Sequence, residues 1–486
     1  MKPTWKVVGR FSATCGVLVA LAISAGAQTS PARATTAKQV TFTKDVAPIL
    51  QEKCQSCHRP NNMAPMSLLT YQDARPWARD IKQRVLTRTM PPWFIDKSIG
   101  IQHFENDSSL SDAQIATIVK WVDEGAPQGD PKDMPPAKVF ADDGGWQVAK
   151  YLGRQPDLVL NGPDYTVKTH DQDQWFRPTS DVTLGEPRWV MAVEMRPSTL
   201  ESRKVFHHII ATLDQDETTA PQAQEKVTFD AGANTASSCR GCNDGVSVMG
   251  GPLMEYAVGK NFEIYHQGTA KLIMPGAKIH WEYHTHATDH DVTGHPELAV
   301  YFYPKGVTPK YRTYSTEFNA MDRGRDRPKL DIRPNTIHDS EGFTVLRAPA
   351  RLESFQPHMH MRGKAMSMEA ILPDGKTILL SYVDHFNFNW MINYIYSEDS
   401  VPVLPKGTIM HVVAWWDNTT ANANNPDPNQ WVGYGERSVD EMGHAWVDVT
   451  YISDDDYKQW VATHPDVMRQ DVATGDAGAE GLQRPQ

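Results

Sequence analysis

The spacing of apolar positions changes once along the chain. Over Ala37–Pro131 it is helical, as around Leu50 and along Asp112–Glu124, where Ser111 followed three residues later by Gln114 offers a capping box. A stretch rich in Pro, Gly and Asp follows over Ala126–Gly145, including Pro127, Pro131, Pro135 and Pro136, and reads as a linker. From Trp146 to about Ser453 the chain turns to short runs with strand character. Examples are Arg188–Met195, Val205–Leu213, Ala299–Tyr303, Phe343–Leu346, Ala365–Leu372, Thr408–Trp416 and Trp446–Ile452. Turn clusters such as Pro373-Asp374-Gly375 and Asn424-Asn425-Pro426-Asp427-Pro428 separate them. Many short strands with such turns predict sandwiches or barrels, and the stretch is long enough for two, divided near Asn335. From about Asp456 the chain drifts into Gly, Ala, Asp and Gln and reads as a flexible tail.

With 486 residues, 40% of them hydrophobic and 14 Trp among them, the chain has material for several cores, which excludes wholesale disorder. Its net charge of -11 without basic tracts argues against a nucleic-acid partner, because phosphate binding needs clustered Lys and Arg. The N-terminus carries Lys2, Lys6 and Arg10, an apolar run through Phe11–Ile23, and then Ala25-Gly26-Ala27. That order predicts a cleaved export signal over residues 1–27, a mature protein in a bacterial periplasm or secreted, and no integral membrane segment after cleavage. Of the five cysteines, Cys15 falls in the signal, and the other four form two C-x-x-C pairs.

The first pair is Cys54-Gln55-Ser56-Cys57-His58. Two thiols in this spacing add across the vinyl groups of haem, and the adjacent histidine ligates iron from one side, so one covalent haem c is expected on Cys54, Cys57 and His58. Met90, in Thr89-Met90-Pro91-Pro92-Trp93, is the chosen sixth ligand, since two prolines hold the following backbone extended. Met63, Met66 and His103 compete for that role. The segment Val40–Gly129 resembles a class I-type cytochrome c domain, which implies an all-α domain over residues 28–130 and a linker over 131–145.

Many of the 18 histidines fall in short groups. His207-His208 is weak alone, because neighbours on a regular strand point to opposite faces and share one metal only where the pleat is distorted. In His280-Trp281-Glu282-Tyr283-His284-Thr285-His286, period two places His280, Glu282, His284 and His286 on one face, a poor way to build a dry core. Spacing does not decide which of them is a ligand. In Pro357-His358-Met359-His360 the two imidazoles fall on one side of a strand. Met442, in Asp440-Glu441-Met442-Gly443-His444, is the least specific. Imidazole suits copper, zinc and iron, and a thioether favours copper.

The order of these motifs (His-His, then W-E-Y-H, then H-M-H, then D-E-M before a final strand) resembles the copper type II monooxygenases, a family that includes peptidylglycine α-hydroxylating monooxygenase and dopamine β-monooxygenase. The resemblance covers about Asp157–Ser453 and is greatest to bacterial members with a cytochrome c domain in front. It implies two copper ions, an electron-transfer copper (CuH) on His207, His208 and His284, and an oxygen-activating copper (CuM) on His358, His360 and Met442, the catalytic set. It also implies two all-β jelly-roll-like sandwich domains, over residues 146–335 and 336–455, with their coppers facing across a solvent-filled cleft.

The implied activity is hydroxylation of a C–H bond of a small organic substrate by O2 at CuM. Electrons would come from a periplasmic donor through the haem and CuH. The second C-x-x-C, Cys239 and Cys242, lacks a following histidine. It reads as a short-loop disulfide, with a free or redox-active pair as the alternative. Trp446 stands where animal relatives carry Tyr, and their substrate-carboxylate contacts have no match. The alternative to an enzyme is an electron-transfer or copper-binding protein of the same compartment.

Overall fold

The computed structural model describes residues 39–60, 64–138, 145–171, 173–227, 251–257, 260–323 and 328–464. The predicted export signal, Met63, the Cys239–Cys242 pair and the residues beyond 464 lie outside them. Among the described residues no helix is long and apolar enough to cross a membrane.

The N-terminal part is helical but slight. Helices α1 (Ala47–Lys53), α2 (Tyr71–Ala74), α3 (Ala78–Leu86) and α4 (Asp112–Asp123) pack around Phe42, Leu50, Ile81, Ile118 and Trp121. The expected capping box forms at α4. The Ser111 hydroxyl accepts from the Gln114 N–H at 3.2 Å, and the Gln114 side chain accepts from the Ser111 N–H at 2.9 Å.

The expectation of a separate all-α cytochrome c domain is not met, because strands dominate the chain and the helices remain few and short. Trp93, Ile95 and Phe104 do not close over the helices. They belong to the hydrophobic core of the C-terminal β-half. Backbone bonds from Asp96 to Tyr382, Ile101 to Leu380 and Glu105 to Ile395 tie this strap to sheet edges there. A segment whose aromatic side chains fill another unit's core cannot also complete its own, so the described residues from Val40 onward form one compact unit.

The first β-half contains β1 (Gln174–Phe176), β2 (Arg188–Pro197), β3 (Phe206–Asp214), β4 (Pro252–Ala257), β5 (Phe262–Ile264), β6 (Thr269–Ile273), β7 (Lys278–Thr285) and β8 (Pro296–Phe302). One sheet runs β1-β7-β3-β4, and β2 pairs with β5, β6 and β8 in the other. Between them lie Val193, Met195, Ile209, Ala211, Leu298 and neighbours.

The second half contains β9 (Tyr311–Asn319), β10 (Ile337–Val345), β11 (Ser354–Met359), β12 (Gly363–Ile371), β13 (Thr377–Val383), β14 (Ile409–Asp417) and β15 (Gly443–Tyr451). The sheet β10-β14-β12-β13 covers a core shared with β9, β11 and β15.

Two independent jelly-roll-like sandwich domains divided near Asn335 are not what forms. Strand β9, placed by sequence in the first half, pairs with β15 from Thr313↔Thr450 to Asn319↔His444. It also pairs in parallel with β6. One sheet therefore runs through both halves. The physical reason is edge satisfaction: β6 and β15 each present an edge, and β9 pairs both. The first residues of the predicted flexible tail are helical instead. Asp454–Thr463 is a helix capped by Ser453, and its Tyr457 and Trp460 pack on the second core.

Candidate metal centre

The three histidines assigned to one site from separate strands converge. On β7, His284 pairs with His208 on β3, but the next pair is Thr285↔Phe206, so His207 is the extra residue of a β-bulge. The bulge is the distortion that lets adjacent histidines turn to one side. The His208 Nδ1 lies 3.4 Å from His207 Nδ1 and 3.3 Å from His284 Nδ1, and the three ligand nitrogens all fall within 4.8 Å of one another. Nitrogens about 2.0 Å from a shared metal in a trigonal plane stand about 3.4 Å apart.

The ring of His284 is fixed from behind. Its Nε2 faces Asp173 at 3.3 Å, and its face stacks on Trp175 at 4.2 Å between centroids. A proton held on Nε2, toward Asp173, would leave the lone pair on Nδ1, which faces His208. Burial would raise the Asp173 carboxyl, but hydrogen bonds from His284, Ser438 and His286 outweigh it and hold it far below the usual range. Burial, helped by the neighbouring His284, pushes the His207 imidazole down to about 3 and that of His208 well below its ordinary value. Ring nitrogens of His207, His208 and His284 that face one another at these distances are what a soft or borderline cation could bridge.

The other histidines of that strand do not join. His280 lies exposed against Thr179 and Asp214, and exposed His286 bonds Asp173. Glu282 pairs with Arg177 at 2.6 Å. His280, Glu282 and His284 alternate along the strand with the buried Ile279, Trp281 and Tyr283, but of the three only His284 is buried.

His358 and His360 sit at the end of β11 against β15, where His358 pairs with His444. His360 Nδ1 donates to the Asp440 carbonyl at 3.1 Å, which leaves Nε2 as the lone-pair nitrogen. Burial lowers the His360 imidazole to about 4. It also holds His358 well below its ordinary value, with His444 as the next cause. The Nδ1 of His358 is buried without a hydrogen-bond partner. Glu441 ties the motifs together by accepting from the backbone N–H of His360 at 3.0 Å and of Arg362 at 2.6 Å. Burial pushes its carboxyl up to about 8.

Met442 is half-buried just before β15, where its carbonyl accepts the Trp416 indole N–H. The side chain stacked on His358, at 4.7 Å, is His444.

The two histidine sets are neighbours. The rings of His208 and His358 are 5.9 Å apart, and Phe388 stacks on His207 at 4.7 Å while lying 6.2 Å from His360. With His208 6%, His284 1%, His358 4% and His360 2% exposed, no open cleft divides them. The shared sheet through β9 and β15 brings the halves this close.

In the haem motif, Cys54 follows α1, and the His58 N–H donates to the Cys54 carbonyl at 2.9 Å. Both thiols are free, and burial pushes that of Cys54 up to about 12. His58 Nδ1 donates to the Met66 carbonyl at 3.3 Å, leaving Nε2 available. Cys54, Met66 and Met134 pack on the helical core, whereas half-buried Met90 is not among its members. His103 is exposed beside Asp399 on the strap.

Asp173, Trp175, Phe388 and Glu441 escaped the sequence reading. Of these, only Glu441, inside the D-E-M-G-H string, carried a local signal.

No protein-family model matches the sequence, and no curated protein does. Among solved structures, PNGF-II is 11% identical over 60% of this chain and 65% of that chain, with a TM-score of 0.26. The major capsid protein P2 of bacteriophage PM2 is 10% identical over 60% of this chain and 97% of that chain, with a TM-score of 0.23. Likeness at that level carries no argument about fold or activity.

Proposed function

We propose that the buried histidine cluster is a copper centre and that the protein is an exported monooxygenase hydroxylating a C–H bond of a small organic substrate with O2. The observation that carries this reading is the meeting of His207, His208 and His284, with His358 5.9 Å from His208 between ring centroids and His360 beside His358. Bound copper would supply one-electron redox chemistry and oxygen activation there. His207, His208 and His284 would hold one ion, and His358 and His360, with Met442 as the expected thioether, a second. Asp173 and the Asp440 carbonyl fix the rings of His284 and His360. The stacked Trp175 and Phe388 limit access of water.

Cys54, Cys57 and His58 fit a covalent haem, with two free thiols and an imidazole whose Nδ1 is already engaged. That group would pass electrons from a periplasmic donor. The strap Trp93–Phe104, which follows this segment, is built into the half that carries His358.

The near-complete burial of both sets favours a second reading, an electron-transfer or copper-binding protein without oxygenase activity. The test is metal analysis of protein exported with haem maturation. Two coppers and one haem per chain, with one copper equivalent lost in a His358→Ala, His360→Ala variant and another in His284→Ala, support the proposal. Oxygen uptake under reductant separates it from the second reading. A chain that takes up no copper in excess Cu(I) refutes both.

A further inference from the structure

A line of polar groups, buried beyond its outer end, runs between the two β-halves from the surface toward the histidine cluster. It starts at exposed Glu398, whose carboxylate accepts two bonds from Arg351 and also pairs with His266 Nδ1 at 2.8 Å. On its other side His266 Nε2 lies 3.3 Å from buried Glu353. A cavity of about 20 Å³, room for one water, is lined by His266, Glu353, Ser354, Glu263 and Asp448. A second of about 10 Å³ is lined by Ser354, Asp448, Ser315, Lys260, Glu255 and Trp446. Ser354 and Asp448 line both, so the two cavities abut.

Lys271 bonds Glu263 at 3.1 Å and Ser315 at 2.7 Å and lies 3.5 Å from Asp448, and Lys260 bonds Glu263 at 2.7 Å. Beyond Glu255 stands Gln356, beside that carboxyl and two residues before His358 on the same face of β11. Glu255 in turn faces the side of its sheet that carries His208, since β4 pairs with β3 through Glu255↔Ile210 and Ala257↔His208.

Two features set this apart from an ordinary buried ion-pair network. Carboxylates outnumber fixed cations: Glu255, Glu263, Glu353, Glu398 and Asp448 against Lys260, Lys271 and Arg351, with Glu317 also near Glu255. Such a cluster, away from bulk water, retains protons. In addition, both oxygens of Glu255 and Gln356 Oε1 are buried without a hydrogen-bond partner. Orphaned acceptors along two abutting water-sized cavities are the groups that bound water would join into a chain.

We infer that this seam is a proton path, with Glu398 and His266 as its mouth and Glu255 as the proton-holding group next to the histidine centre. The purpose rests on the oxygenase reading, though the geometry does not. Hydroxylation puts one oxygen atom into the C–H bond and releases the other as water. That consumes two electrons from a one-electron donor and two protons, and a centre buried this deeply needs a route for the protons. Burial, ahead of its charged neighbours, pushes the Glu255 carboxyl up to about 7, consistent with a group that gives and takes a proton near neutrality.

The test begins with metal-free full-length protein, so it does not depend on copper. The infrared difference between wild type and Glu255→Gln at pH 6 should contain the C=O band of a buried carboxylic acid. On rapid transfer to D2O that band should shift within seconds. Ser354→Val, which fills the junction of the cavities, and Glu353→Gln at the outer end should each slow the shift at least tenfold, with circular dichroism unchanged. Absence of the acid band overturns the proposal, as does a shift as slow as core amide exchange, or a rate unaffected by both variants.

In copper-loaded protein, indicator-dye uptake of protons on anaerobic reduction should slow at least tenfold in Glu255→Gln at unchanged copper content. A purely structural Glu255 would leave that rate alone. Failure to bind copper sinks the oxygenase reading, while the exchange measurement still decides the path.

Discussion

An imidazole becomes a dependable ligand when something else holds its second nitrogen, and both histidine sets have this arrangement. For His284 the holder is Asp173, a residue in a loop before β1 that no strand periodicity marks. Asp173→Asn keeps the shape but removes the charge behind the ring. Copper affinity of the three-histidine set should fall about 10–100-fold, as read by competition with a chelating dye. Unchanged affinity would relieve Asp173 of that role. His360 should be less sensitive, because its holder is the Asp440 main chain and survives side-chain replacement.

Elements explain why these residues meet. The bulge at His207 breaks the strict alternation that would send His207 and His208 to opposite faces. Where β15 begins, Gly443 lets the chain pass Trp416: a Cβ there would lie 2.5 Å from the indole. Gly443→Ala should therefore cost about 1–3 kcal/mol through overpacking. It should also disturb the neighbouring Met442 and His444, seen as lower copper content and a lower denaturant midpoint together. The strap is the other decisive element. Trp93 packs edge-on against Phe104 and Tyr394 in the second core, and Trp93→Ala should cost about 3–5 kcal/mol in chemical denaturation. A loss below about 1 kcal/mol would mean the strap is not part of that core.

For the whole molecule, the joined sheets and the strap predict that the helical layer and the β-halves unfold together. The metal-free protein should also lose stability in acid. His207 and His360 have folded values of about 3 and 4, and His208 and His358 lie well below the ordinary 6.5. The unfolded chain thus binds more protons below pH 6.5, so stability present above that value drains away as pH falls toward 4. Calorimetry across pH 7.5 to 4.5 should show the melting temperature falling, and less steeply in a His208→Gln, His358→Gln variant. Equal slopes would contradict the burial of these groups as neutral imidazoles.

Local structure was legible in the sequence: the capping box at Ser111 and the alternation of His280, Glu282 and His284 depend on spacing within one element. Strand-rich character after Trp146 was legible for the same reason, since turn residues and alternation are local.

What spacing does not contain is which element lies beside which. The separate cytochrome c domain failed because Trp93, Ile95 and Phe104 read equally well as anyone's core, and only packing assigns them to the second β-half. The division near Asn335 failed because strand pairing across distant sequence is set by open edges, and β9 satisfies both β6 and β15. The choice of His284 over His280 and His286, the adjacency of His208 to His358, and the polar seam behind Gln356 are likewise consequences of burial between sheets. Sequence supplied the ligands, and tertiary structure decided which of them face each other, because desolvation and edge pairing act only on surfaces brought together by the fold.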